Sequence, residues 1–141
     1  MELLRTLRCV GYANLEPPMP VVGVQVRELA HGTAREFTAP LDTGFAGYLM
    51  LPEKEYDELS TTEVARDQFG EYRTMAGPVV TRRARVKIRV GETDLESFIE
   101  TPLYGGGTLL LGRRIINELD IALLGTEGRA CQVAATRERQ G

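Results

Sequence analysis

Between Arg82 and Glu100 the chain alternates so strictly that few folds can accept it. Ala84, Val86, Ile88 and Val90 fall on one side of an extended backbone, and Arg83, Arg85, Lys87 and Arg89 fall on the other, which is the period of a strand and not of a helix. Reading Gly91-Glu92 as a two-residue hairpin loop pairs Val90 with Thr93 and fixes the register of the strand that follows. Arg89 then faces Asp94, Lys87 faces Glu96, Arg85 faces Phe98 and Arg83 faces Glu100. Counting Arg82, this basic stripe first suggests a nucleic-acid surface. Its cross-strand acids neutralise most of it, so the stripe is read as a solvated face.

Other segments have the same character. Val22, Val24 and Val26 alternate with polar neighbours as a half-buried strand, and Ala30-His31-Gly32-Thr33 turns it into a second strand carrying Phe37, Ala39 and Leu41. Leu49 and Leu51 continue the alternation. Pro52 suits a helix start, acids follow it in the first turn, and Tyr56 and Leu59 share one face of a short helix. Ser60 to Gly70 reads as loop or one more helical turn. Glu71 to Val80 reads as strand, turn, strand with Gly77-Pro78 at the bend. Leu109-Leu110-Leu111 reads as a fully buried strand ending at Gly112, where a missing side chain permits close backbone approach. Ile115, Ile116 and Leu119 then line a second short helix, and late strands are expected over 120–125 and 130–135. Residues 1–20 are read as an apolar segment and a Pro-rich connector, 21–135 as one domain, and 136–141 as a polar tail. The fold class is mostly β with one or two short helices.

Composition removes several functions. A chain of 141 residues with 43% hydrophobic and 26% charged content can bury one ordinary core, and its net charge of −3 gives no reason to expect nucleic acid. No apolar run approaches the roughly 18 residues of a spanning helix. With Arg5 and Arg8 inside its first apolar pattern, the chain is expected to be cytoplasmic, without a signal peptide or a membrane partner. Cys9 and Cys131 have no metal-type spacing and are expected to be buried free thiols. His31 is the sole histidine, so neither a zinc site nor a Ser-His or Cys-His nucleophile has material to work with, and no metal or cofactor is expected. The three glycines at 105–107 precede a strand instead of linking strand to helix, the wrong order for a phosphate loop.

What remains is carboxylate chemistry. Asp42 lies on the Gly-rich turn Leu41-Asp42-Thr43-Gly44 between two strands, held at both ends. Such a tripeptide also serves purely as an Asx turn. The residues around it carry a resemblance. Leu41-Asp42-Thr43-Gly44 after a strand, an Ala76-Gly77 hairpin, and Leu109-Leu110-Leu111-Gly112-Arg113-Arg114 opening a helix are together similar to the retropepsin-like aspartic proteases, over about Val21 to Leu124. Phe45 to Pro52 is similar to the small prokaryotic members.

The resemblance implies a single-lobe closed acid-protease β-barrel that contributes one aspartate and becomes an aspartic endopeptidase as a homodimer acting on a peptide or protein. It assigns Asp42 to catalysis, Thr43 and Gly44 to support of the active-site loop, and Met75, Ala76 and Gly77 to a flap covering the substrate. The chain departs from the family pattern after the triad, where a small or hydroxyl residue is usual. Here Phe45 is large and apolar, and Ala46 has no hydroxyl. Phe45 either raises the pKa of the acids by desolvation or turns into the core. The alternative function is a non-catalytic peptide-binding or assembly module on the same dimeric barrel.

Overall fold

The computed structural model describes residues 2–137, so residues 138–141 of the expected polar tail lie outside the described residues. Strands dominate, in the order β1 (Glu2–Gly11), β2 (Val21–Glu28), β3 (Ala34–Pro40), β4 (Leu49–Met50), helix α1 (Glu53–Leu59), β5 (Gly70–Thr74), β6 (Gly77–Val90), β7 (Thr93–Pro102), β8 (Leu110–Leu111), helix α2 (Arg113–Ile116), β9 (Ile121–Leu124) and β10 (Arg129–Arg137). They fall into a seven-stranded sheet, with path β3-β2-β6-β7-β4-β8 and β5 paired to β6, and a three-stranded sheet, β1-β10-β9.

The register expected for the long hairpin is the one observed. Val90 faces Thr93, Arg89 faces Asp94, Lys87 faces Glu96, Arg85 faces Phe98 and Arg83 faces Glu100. Gly91 has φ +58°, the left-handed value that a tight turn needs and that glycine adopts without strain. The even-numbered residues Ala84 to Val90 are buried with Val22, Val24 and Val26 of β2, whose removal from water is the main stabilising contribution to this sheet.

Two members of the basic stripe are partly withdrawn from solvent. Arg83 points inward, its Nε 2.7 Å from Oε1 of the fully buried Glu100. Arg82 lies over the Tyr56 ring at 4.8 Å and pairs with Asp57 and Glu63. Strand period alone cannot show this, because side chains of distant elements meet this end of β6: Tyr56 of α1 lies against Arg82, and Tyr72 of β5 and Tyr48 lie against Arg83. Farther along, Arg85, Lys87 and Arg89 are exposed as expected.

Helix α1 buries Tyr56 and Leu59, three residues apart, on its inner face, and Tyr56 Oη donates to Glu63 Oε1 at 2.7 Å. The buried hydroxyl therefore has an acceptor. Of the three leucines only Leu111 is fully buried, while Leu109 and Leu110 are half-buried. The hairpin after residue 70 bends at Met75-Ala76, since Thr74 pairs with Gly77 and Gly77-Pro78 already belong to β6.

The N-terminal segment is itself a strand, β1, paired antiparallel with β10 from Glu2 to Gly11. That register sets Cys9 opposite Cys131 and corrects the reading of free thiols: the two are joined in a disulfide across 122 residues of sequence. Neither cysteine has a local sequence partner, so only the pairing of the two chain ends brings them together.

Candidate active site

The Asp42 loop is held by the strand and helix that follow 70 residues later. Leu41 forms a parallel bridge with Leu111, and the Asp42 N–H donates to the Leu111 carbonyl at 2.9 Å. Beyond it, Gly112 N–H donates to Tyr48 O (2.6 Å), Arg113 N–H to Phe45 O (2.9 Å) and Arg114 N–H to Gly47 O (3.0 Å). These are N–H groups at the start of α2, which no intrahelical carbonyl can accept, so the loop supplies their partners. Gly112 permits the approach: a Cβ there would fall on the Gly47 carbonyl oxygen and stand 2.8 Å from Phe45 Cδ2.

Within the loop, the Gly44 N–H donates to Asp42 Oδ1 at 2.9 Å and the Phe45 N–H to the Asp42 carbonyl at 3.2 Å. The carboxylate is thereby oriented by backbone and remains half-buried, with its second oxygen unbonded among the described residues. Thr43 is exposed beside it, and its hydroxyl makes no hydrogen bond among the described residues. Phe45 neither enters the core nor leaves the site. It is half-buried, packs edge-on against Tyr72 with ring centres 5.1 Å apart, and lines the same cleft as Asp42.

That cleft, about 370 Å³, brings Asp42, Gly44, Phe45 and Ala46 together with Tyr72, Arg73 and Thr74 of β5. Met50, Val79, Pro102 and Leu110 complete a mostly apolar wall. The hairpin tip stands clear of it. Met75 is fully exposed, and Thr74 Oγ1 accepts the Ala76 N–H at 3.2 Å and donates to the Gly77 carbonyl at 2.7 Å, so the tip is bonded to itself. Met75, Ala76 and Gly77 are thus one turn beyond the cleft wall, and they do not line it. A larger groove of about 640 Å³ runs past Arg8, Gln25, Glu36, Phe37 and Arg89. It contains no residue held as Asp42 is, so the smaller cleft is the better candidate on chemistry.

The sequence reading missed Tyr72, which lines the cleft, and Arg83 and Glu100, to which its hydroxyl is bonded. Tyr72 Oη donates to Glu100 Oε1 at 2.6 Å and accepts from Arg83 Nη2 at 2.7 Å. Burial, reinforced by the Glu100 charge, pushes the Tyr72 hydroxyl well above the ordinary tyrosine range, so it stays a donor. Glu100 was legible only as the cross-strand partner of Arg83. Its burial depends on β5 and the Asp42 loop folding over it.

No family model matches the chain, and no curated protein matches it. Among solved structures it is similar to the EIAV protease, solved in complex with an inhibitor, at a TM-score of 0.53 with 22% identity over 75% of this chain and 91% of that one. The fold is retropepsin-like. A second structure, a retropepsin-like aspartic protease from Rickettsia conorii, matches over 97% of both chains at a TM-score of 0.54 and 11% identity. At these identities the likeness concerns the retropepsin-like fold and not particular side chains. Nearly full coverage by the Rickettsia protein extends it to β1 and β10, beyond the segment from Val21 to Leu124 over which the sequence resemblance ran.

Proposed function

We propose that the chain is one half of a homodimeric aspartic endopeptidase, in which Asp42 and its copy from a second chain activate water against a peptide bond. The observation that carries this reading is the Asp42 carboxylate itself. It is fixed by the Gly44 N–H and by the clasp of α2 on its loop, and it opens on an apolar cleft within a retropepsin-like fold.

One carboxylate takes a proton from water while the other, protonated, hydrogen-bonds the substrate carbonyl oxygen. Two carboxyls about 3 Å apart cannot both be ionised, so they share a proton and titrate as a pair. A two-fold axis beside Asp42 creates that pair from one motif per chain. Glu100 is no substitute for the second acid, because it is fully buried and already bonded to Arg83. Thr43, exposed at the loop, braces the two loops across the axis, and Gly44 supports the carboxylate. Met75, Ala76 and Gly77 close over an extended peptide and exclude water. No cofactor takes part in the proposed reaction.

Asp42→Asn is expected to lower peptide cleavage by about 1000-fold or more while leaving the dimer intact in sedimentation. Hydrolysis retained in that variant removes the proposal. The second reading, a peptide-binding or assembly module without turnover, is favoured by the absence of a hydroxyl at Phe45 and Ala46 to bond the free carboxylate oxygen. It predicts peptide binding or oligomerisation with no cleavage at any pH.

A further inference from the structure

Glu100 has no exposed surface. A carboxylate taken out of water persists only when it is paired and bonded, and the way these bonds are divided is informative. Oε1 accepts from Tyr72 Oη (2.6 Å), Thr81 Oγ1 (2.9 Å) and Arg83 Nε (2.7 Å), all on the flap hairpin strands β5 and β6. Oε2 accepts the backbone N–H of Tyr48, in the Asp42 loop, at 2.9 Å. No backbone hydrogen bond among the described residues joins residues 70–80 to residues 41–48. One side chain on β7 therefore hydrogen-bonds two elements that also meet where Phe45 packs on Tyr72 and Arg83 lies over Tyr48.

The backbone leaves room for this carboxylate on both sides. A Cβ on Gly47 would fall on the Tyr72 hydroxyl and stand 2.5 Å from Glu100 Oε2, and a Cβ on Gly70 would fall on Thr81 Oγ1 and stand 2.7 Å from Glu100 Oε1. Neither glycine has a positive φ, so space and not backbone conformation is what their lack of a side chain provides.

We infer that Glu100 is a positioning residue that locks the flap hairpin and the Asp42 loop into one unit, setting the cover of the cleft relative to its floor. The kinetic part of this inference rests on the peptidase reading, and the structural part does not. Glutamine is the informative replacement because it keeps the shape and fails at one end. With its oxygen toward Tyr72, Thr81 and Arg83, its NH₂ meets the Tyr48 N–H, donor against donor, and the opposite orientation sets the NH₂ against the Arg83 Nε–H and takes the acceptor away from the Tyr72 and Thr81 hydroxyls.

The experiment is hydrogen–deuterium exchange on the full chain as wild type, Glu100→Gln and Tyr72→Phe, with β2 and β3 as the internal reference. Glu100→Gln is expected to speed exchange about tenfold or more in both 42–49 and 70–80 while 21–40 stays at the wild-type rate. Tyr72→Phe keeps the ring on Phe45 and removes one arm, and a rise of about threefold or more is expected in 70–74. If Glu100→Gln does not fold, Tyr72→Phe decides. Unchanged exchange in the folded variants overturns the inference, and so does a rise spread equally over 21–40.

If the wild type cleaves peptide, Glu100→Gln raises KM by about tenfold, whereas a merely structural role lowers the folded fraction and leaves KM alone. A wild type without turnover defeats the peptidase reading and leaves the exchange result standing.

Discussion

Replacing Gly112 with alanine tests whether the Asp42 loop is held by close backbone contact with the start of α2. Gly112 has φ −89° and ψ 171°, which any residue adopts, so the substitution carries no conformational penalty of its own. Its cost is steric. The new methyl would fall on the Gly47 carbonyl oxygen, 2.7 Å from the Gly47 carbonyl carbon, and these are backbone atoms that cannot rotate away. Relief requires the loop and helix to separate, which lengthens the three hydrogen bonds from Gly112, Arg113 and Arg114 to Tyr48, Phe45 and Gly47. At about 1 kcal/mol each, their loss comes to about 3 kcal/mol, at the upper end of what overpacking costs.

For a chain of this length that corresponds to a fall in Tm of about 10 °C. The control is Gly23→Ala in β2, where a Cβ meets nothing within 4 Å and φ is ordinary. It is expected to change stability by less than about 0.5 kcal/mol or to raise it slightly. Urea and thermal unfolding of both variants read the difference. A Gly112→Ala protein within about 0.5 kcal/mol of wild type would refute the close-packing argument, as would an equal loss in both variants.

The Glu28 carboxyl is held down at about 2 by the Thr61 hydroxyl, against the opposing effect of burial, with further help from the N–H groups of Thr33, His31 and Ala30. An unfolded glutamate titrates near 4.3, so between those values the unfolded chain binds more protons. This contribution to stability is complete above about pH 4.5 and is lost as the pH falls toward 2. The urea midpoint of Glu28→Gln should lose that slope, and a profile parallel to wild type contradicts it. For the chain ends, thiol titration of oxidised, unreduced protein is expected to find no free cysteine, and a Cys9→Ser, Cys131→Ser variant is expected to be less stable by about 4 kcal/mol. Two titratable thiols in the folded protein would contradict the pairing.

Features fixed by neighbours in sequence were legible without the structure. The register of β6 on β7 follows from one two-residue loop and an unbroken alternation, and the close approach at Gly112 follows from a glycine between a strand and a helix. Features fixed by distant neighbours were not. Cys9 meets Cys131 only because β1 and β10, the two ends of the chain, pair. Arg83 looks like one more member of a solvated stripe until β5 and the Asp42 loop cover it, and Glu100 looks like its surface partner for the same reason. Strand period says which residues share a face and is silent on what covers that face. Phe45 is a similar case: its size was evident, but its position against Tyr72 depended on where β5 runs.

In the proposed function Asp42 is half of a catalytic pair completed by a second copy of the chain. A crystal structure of the assembled protein at its active pH measures this directly, through the separation of the two Asp42 carboxyls. The expected result is a two-fold dimer with those oxygens about 3 Å apart and a water shared between them. A monomer, or a dimer whose Asp42 side chains face away from each other, would contradict it.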